Sequence, residues 1–165
     1  MHTIKNEYPA FGGHYEVIHH TQLINELIGT GKLSINLDGD SMKVAFHDPC
    51  YLSRHNKITD APRKTLKDAG ITTIEMPRNG AKSFCCGAGG AQMWKEEEAG
   101  TARVNETRFA EAKSILEGAG LSAGADTVAV GCPFCLTMMH DASKADGGNI
   151  QVKDVAEIVA ERLKA

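Results

Sequence analysis

The sequence predicts an α/β fold: a mainly parallel central sheet of about four strands flanked by helices, with the cysteine loops gathered at the C-terminal edge of the strands. Three observations carry this. Short apolar or β-branched runs recur at Met42–Phe46, Ile71–Met76, Thr127–Val130 and Ile150–Lys153. Segments with helical spacing of apolar residues separate them, which is the alternation a parallel sheet needs for its crossovers. Every cysteine lies in a loop that follows one of these strands or opens a helix. With 165 residues, the chain suits one domain, 1–165, large enough to bury a core without disulfide staples.

Residues 1–13, containing Tyr8-Pro9-Ala10-Phe11-Gly12-Gly13, read as an irregular lead-in to an α/β core over 14–165. His14 to Leu27 reads as a helix with Tyr15, Ile18, Leu23, Leu27 and Ile28 on its apolar face, ended by Gly29 and Gly31. His19 and His20 then fall on its polar face. Leu33–Leu37 alternates weakly, as a short strand would, and Asp38-Gly39-Asp40-Ser41 is a turn. The strand Met42–Phe46 must stop at Pro49, which lacks an N–H and bars helix from the residue before it.

Pro62 belongs in the first turn of a helix entered at Asp60 and closed by Gly70. Gln92 to Leu116 has mostly helix-forming residues, with Phe109, Ala112, Ile115 and Leu116 on one face and Glu96-Glu97-Glu98 as a solvated face. Pro133 is placed to open a helix whose inner face is Met138, Met139 and Ala142. Gly147-Gly148-Asn149 makes a turn, and Asp154-x-x-Glu157 has the form of a capping box for a last helix with Val155, Ile158, Val159 and Leu163 inward.

Composition excludes several classes of function. Net charge is −3 with 24% charged residues, and no Lys/Arg block marks a nucleic-acid surface. No apolar run approaches the roughly 20 residues that cross a bilayer, and residues 1–7 lack a signal peptide's apolar stretch. Five cysteines, an odd number with two of them adjacent, fit a fully paired disulfide framework poorly. Free thiols or a metal in a reducing, cytoplasmic setting fit better.

Those five cysteines form three groups: Cys50, Cys85-Cys86 and Cys132-Pro133-Phe134-Cys135. In a parallel sheet the loops after the strands share one end, so all five can converge there. A thiolate set of this kind suits soft metals, either zinc or iron bridged by sulfide. Gly87, Gly89 and Gly90 let the backbone approach the metal centre and aim N–H groups at sulfur. His47, at a strand end, is the better of two histidine candidates for a ligand or proton relay, the other being His55; a purely structural role is the simpler reading of each. Met93 and Trp94 read as packing. Structural zinc usually takes two Cys-x-x-Cys pairs, and only one is present. A thioredoxin-like dithiol at Cys132 and Cys135 leaves the other three cysteines without a role, and the glycine loop departs from the nucleotide-binding pattern at Gln92.

The succession His47-Asp48-Pro49-Cys50-Tyr51, Phe84-Cys85-Cys86-Gly87-Ala88-Gly89-Gly90 and Cys132-Pro133-Phe134-Cys135 resembles the cysteine-rich CCG domain. That domain occurs in the heterodisulfide reductase family and in related iron–sulfur oxidoreductase subunits, among them those of glycerol-3-phosphate dehydrogenase and glycolate oxidase, and in lactate-utilisation proteins. The resemblance spans about Tyr8 to Asp154. It implies that all five thiols hold a 4Fe–4S cluster, which in heterodisulfide reductase is of a non-cubane type using the fifth cysteine.

It also implies electron transfer between a flavoprotein or other redox subunit and a quinone or thiol/disulfide acceptor. The setting would be cytoplasmic, including the cytoplasmic face of a membrane reached through a longer parent. The family normally carries two such motifs behind a ferredoxin-like segment. One motif is present here, so the chain resembles a C-terminal half, not a complete enzyme. The alternative from another class is a zinc-binding structural or interaction domain without redox activity, and zinc could also replace a cluster lost in air.

Overall fold

In the computed structural model, which describes residues 1–38, 42–96, 99–119 and 127–164, strand β1 (Met42–Phe46) lies inside a four-stranded, all-parallel sheet. β2 (Ile71–Glu75) flanks it on one side; β3 (Thr127–Val130) and then β4 (Gln151–Asp154) lie on the other. Successive residues of β1 face opposite sides, and both sides are buried, as parallel sheets require. Val44 and Phe46 pack with Leu66, Val155, Ile158 and Val159 beneath helices α3 (Asp60–Asp68) and α6 (Val155–Ala160). Ala45, Val128 and Val130 pack with Phe109, Leu116 and Met139 beneath α4 (Val104–Gly118) and α5 (Pro133–Ala145). Each such fully buried large aliphatic or aromatic side chain contributes about 1.5–3 kcal/mol.

The strand order decides where the chemistry sits. From β1 the chain crosses to β2 on one side, whereas β3 returns to the other side of β1. The C-terminal ends of β1 and β3 therefore flank the topological switch point, where open α/β sheets leave a crevice. The His47 N–H donates to the Ala129 carbonyl at 2.9 Å and extends the ladder to the crevice edge.

Several local expectations are corrected. The lead-in is not irregular: a short helix, α1 (His2–Asn6), and a 3-10 turn over Tyr8–Phe11 occupy it. The helix expected from His14 begins at His20 (α2, His20–Gly29), because His19 takes the N-cap, accepting from the Thr21 N–H and closing a capping box with Gln22. Tyr15 and Ile18 accordingly stay exposed ahead of it, and Leu23 is exposed on it.

Ile35 makes only an isolated antiparallel bridge to Leu163, so Leu33–Leu37 is no sheet strand and Leu163 stays exposed instead of entering the core. The expected helix from Gln92 to Leu116 is broken. Gly89–Trp94 is a 3-10 segment with left-handed backbone at Gly90 and Ala91, Lys95 is extended, and α4 starts only at Val104. The turn at 38–41 and the Glu96-Glu97-Glu98 run lie partly outside the described residues; Glu96 is exposed.

Candidate metal centre

Each cysteine loop is held by its own sequence. Beyond β1, Pro49 ends the ladder and its carbonyl accepts from the Leu52 and Ser53 N–H groups, winding Tyr51–His55 into a wide π-type turn with Cys50 at its head. Buried Asp48 ties this loop to its neighbours. It accepts from Arg63 Nη1 and Nη2, at 2.8 and 2.9 Å, and from the Gly80 N–H at 2.8 Å. Ser53 and Ser83, both buried, pair through their hydroxyls at 3.2 Å and link the Cys50 turn to the segment entering Cys85.

At the double cysteine, Gly87 has φ +89°, which favours glycine, and a Cβ there would crowd Val104 Cβ at 3.1 Å. Its N–H donates to Cys85 Sγ at 3.3 Å. Gly90 also has positive φ, whereas Gly89 has an ordinary φ and open space around it. Cys132 stands at the N-cap of α5 with Pro133 behind it, and Cys135 lies one turn in, facing the core.

The five thiols meet. Cys50 contacts Cys85, Cys85 contacts Cys86, Cys135 donates to Cys86 at 3.5 Å, and Cys132 contacts Cys135. The imidazole of His47 joins them, with a ring nitrogen and Sγ of Cys86 and Cys135 all within 4.8 Å of one another. A cavity of about 240 Å3 opens beside the sulfurs, lined by Cys50, Cys86, Cys132 and Cys135 and walled by Gly89, Gly90 and Trp94 among others. Trp94 is 70% exposed and meets Phe134 edge-on at 6.0 Å, so it forms cavity rim and not core packing. His55 points elsewhere, stacking on Tyr51.

Crowding the thiols divides their protons. Hydrogen bonds from Cys50 and Cys86, reinforced by the Gly87 N–H and the nearby Arg54 charge, hold Cys85 well below an ordinary thiol. Cys132 is lowered to about 6, chiefly by the Cys135 thiol and then by backbone N–H groups at the start of α5. Cys50 is raised because it donates to Cys85 and is partly buried. Cys135 is raised well above normal by its bonds to Cys132 and Cys86 and by burial. In Cys86 the bond from Cys135 pulls down, but the Cys85 contact and burial outweigh it and the net shift is upward. The crowding thus favours the thiolate at Cys85 and Cys132 and the protonated thiol at Cys50, Cys86 and Cys135. A soft cation would displace those protons, since the thiolate is the ligand.

A test of fit comes from two orphaned atoms. His47 Nε2 and Arg108 Nη2 are buried and have no hydrogen-bond partner among the described residues. Buried polar atoms are rarely left so, and His47 Nε2 belongs to a ring beside the sulfurs. The donor set, the cavity and this unsatisfied nitrogen fit a sulfur-rich metal group.

Sequence reasoning missed three neighbours. His19 caps α2 and its Nε2 lies 3.0 Å from the Gly131 carbonyl, immediately before Cys132. Arg54, four residues on from Cys50, brings a positive charge that favours the Cys50 and Cys85 thiolates. Arg108 is fully buried and donates to His47 Nδ1 at 3.0 Å. Only Arg108 left a usable signal: it stands on the helical stripe Asn105, Phe109, Ala112 and Leu116, where an arginine is out of place unless something inside needs it.

The family described as "CCG: Cysteine-rich domain" matches residues 44–140, a span that contains every cysteine. The chain belongs to that family. Among curated proteins, the "Probable iron-sulfur-binding oxidoreductase FadF" of Bacillus subtilis is 42% identical over 96% of this chain and 22% of its own length. The EtfAB:quinone oxidoreductase of Syntrophomonas wolfei is 40% identical over 94% of the chain and 22% of its length. A subunit of the dihydromethanophenazine:CoB–CoM heterodisulfide reductase of Methanosarcina barkeri is 34% identical over 90% of the chain and 34% of its length. The chain thus spans only 22–34% of these CCG relatives. No solved structure matches it. Among the described residues no helix is long and apolar enough to cross a membrane.

Proposed function

We propose that this CCG chain is an iron–sulfur electron-transfer domain of a larger oxidoreductase. The single observation that carries this is the unbroken run of thiol contacts from Cys50 through Cys85, Cys86 and Cys135 to Cys132, drawn from three loops at the sheet's switch point. CCG relatives named as iron–sulfur and quinone or heterodisulfide oxidoreductases support the reading. When bound, a 4Fe–4S cluster supplies reversible one-electron transfer.

The chain's own part is to hold and shield the group. The five cysteines are its proposed ligands, and the fifth thiol leaves room for a non-cubane arrangement. The Gly87 N–H bonds Cys85, Gly89 and Gly90 line the cavity, and a His47 ring nitrogen lies within 4.8 Å of the Cys86 and Cys135 sulfurs. Trp94 and Phe134 form a rim that limits water. The proposed donor is a flavoprotein subunit, the acceptor a quinone or disulfide held by the rest of the parent protein, and the compartment the reducing cytoplasm.

Anaerobic reconstitution with ferrous iron and sulfide tests this. The expected product is coloured, with a broad visible absorption and about four iron atoms per chain. A colourless chain that takes up one zinc and no iron would return the structural-zinc reading.

A further inference from the structure

Arg108 is an unusual resident of the α4 core stripe: Nε and Nη1 have hydrogen-bond partners, and Nη2 has none among the described residues. Nη1 donates to the Arg78 carbonyl at 2.9 Å and to Glu111 Oε2 at 2.6 Å, while Nε donates to His47 Nδ1 at 3.0 Å. Glu111 also takes Arg78 Nε at 2.5 Å, and the Arg78 guanidinium lies 3.6 Å over the Phe84 ring, next to Cys85. The network therefore runs from α4 to both walls of the sulfur site.

Arginine has donors only. An Nε–H aimed at His47 Nδ1 obliges that nitrogen to present its lone pair. The ring is then neutral, with its single proton on Nε2. Nε2 is the buried nitrogen left without a partner, in a ring within 4.8 Å of Cys86 and Cys135 Sγ. A lone pair there would make His47 a ligand; an N–H makes it a donor to sulfur.

We propose that Arg108 is a positioning residue that fixes the Nε2–H tautomer of His47, so that His47 offers the sulfur site a hydrogen bond and not a metal–nitrogen bond. His47 thereby tunes the centre while the five cysteines hold it. An N–H dipole aimed at sulfur favours the more negative, reduced state, so its removal lowers the reduction potential.

Two measurements test this, and only the second rests on the iron–sulfur reading. In the histidine-15N-labelled chain as purified, long-range 1H–15N spectra should show His47 with the proton on Nε2 and an acceptor Nδ1. In Arg108→Met the two tautomers should mix. An Nδ1–H or doubly protonated His47 in the wild type would overturn the proposal, and so would a tautomer indifferent to Arg108.

In the reconstituted chain, His47→Leu should keep its iron and shift the reduction potential negative, and His47→Gln, which restores an N–H, should recover part of the shift. Loss of the metal centre in a folded His47→Leu chain would make the imidazole a ligand; an unchanged potential would make it a bystander. Either result overturns the proposal. Failure of the wild type to take up iron would count against the electron-transfer reading and leave the tautomer measurement standing.

Discussion

Cys132 and Cys135 are separated by one helical turn, yet their chemistry is opposite. Cys132, half-buried at the mouth of α5, is lowered to about 6 by the Cys135 thiol, while Cys135 is buried and raised well above a normal thiol. In the metal-free chain, alkylation of Cys132 should therefore rise through about pH 6 and Cys135 should resist labelling up to alkaline pH. Peptide mapping after iodoacetamide treatment over a pH series reads both. Uniform labelling near the ordinary thiol range, about pH 8.5, would contradict the division of protons. At this scale the sequence told its ligand candidates by type and spacing, because five thiols with a Cys-x-x-Cys and a Cys-Cys-Gly stand out. His19 was illegible as a neighbour, since its nearness to Cys132 comes from segments brought together only by folding; Arg54 and Trp94 are close in sequence to Cys50 and Cys86, but nothing local told which way their side chains turn.

At the scale of elements, the cysteine loops are fixed from outside by Asp48. Its side chain is 1% exposed and joins the β1 loop to Arg63 on α3 and to Gly80 beyond β2. Asp48→Ala should lower unfolding stability by about 2 kcal/mol, because it leaves the Gly80 N–H without its acceptor and takes the buried carboxylate from Arg63, which then keeps only Glu75 and the Thr59 carbonyl. Denaturant titration measures this. A loss below about 1 kcal/mol would mean that the clamp behaves like a surface ion pair.

The strands were readable because β-branched runs bounded by Gly and Pro are local signals, and the Asp154 capping box was read correctly for the same reason. The start of α2 was not: histidine is outside the usual N-cap set, so the cap at His19 left no recognisable mark. The break between Trp94 and Val104 was only weakly marked. Gly100-Thr101 interrupts its otherwise helix-forming residues, a mark outweighed in the reading by the Lys, Glu and Ala around it, and the left-handed backbone at Gly90 and Ala91 keeps the preceding segment out of a regular helix.

For the whole molecule, the parallel sheet with both faces covered was legible from alternation alone, but the strand order was not, because pairing is non-local. That order puts the loops after β1 and β3 at one crevice, with the loop after β2 beside them. It also buries His47 under α4, where burial first and the Arg108 charge second lower it to about 3. Unfolded His47 would bind a proton near pH 6.5 and folded His47 resists until about 3. Its contribution to stability is thus present above pH 6.5 and is lost as pH falls towards 3. The slope is at most about 1.4 kcal/mol per pH unit. The stability of the metal-free chain should fall more steeply from pH 6.5 to 4 than that of His47→Gln. Parallel curves would show that His47 is not buried as described.

The central claim is that one metal centre draws on all three loops at the sheet edge. Its most direct measurement is iron content and visible spectrum after anaerobic reconstitution of five single variants: Cys50→Ser, Cys85→Ser, Cys86→Ser, Cys132→Ser and Cys135→Ser. The account predicts that every one loses iron or changes its spectrum while far-ultraviolet circular dichroism stays native, because serine keeps nearly the volume of cysteine and the core around Val44, Phe46, Leu66 and Ile158 contains no thiol. A variant from any one loop, Cys50→Ser above all, that keeps wild-type iron and an unaltered spectrum would contradict it.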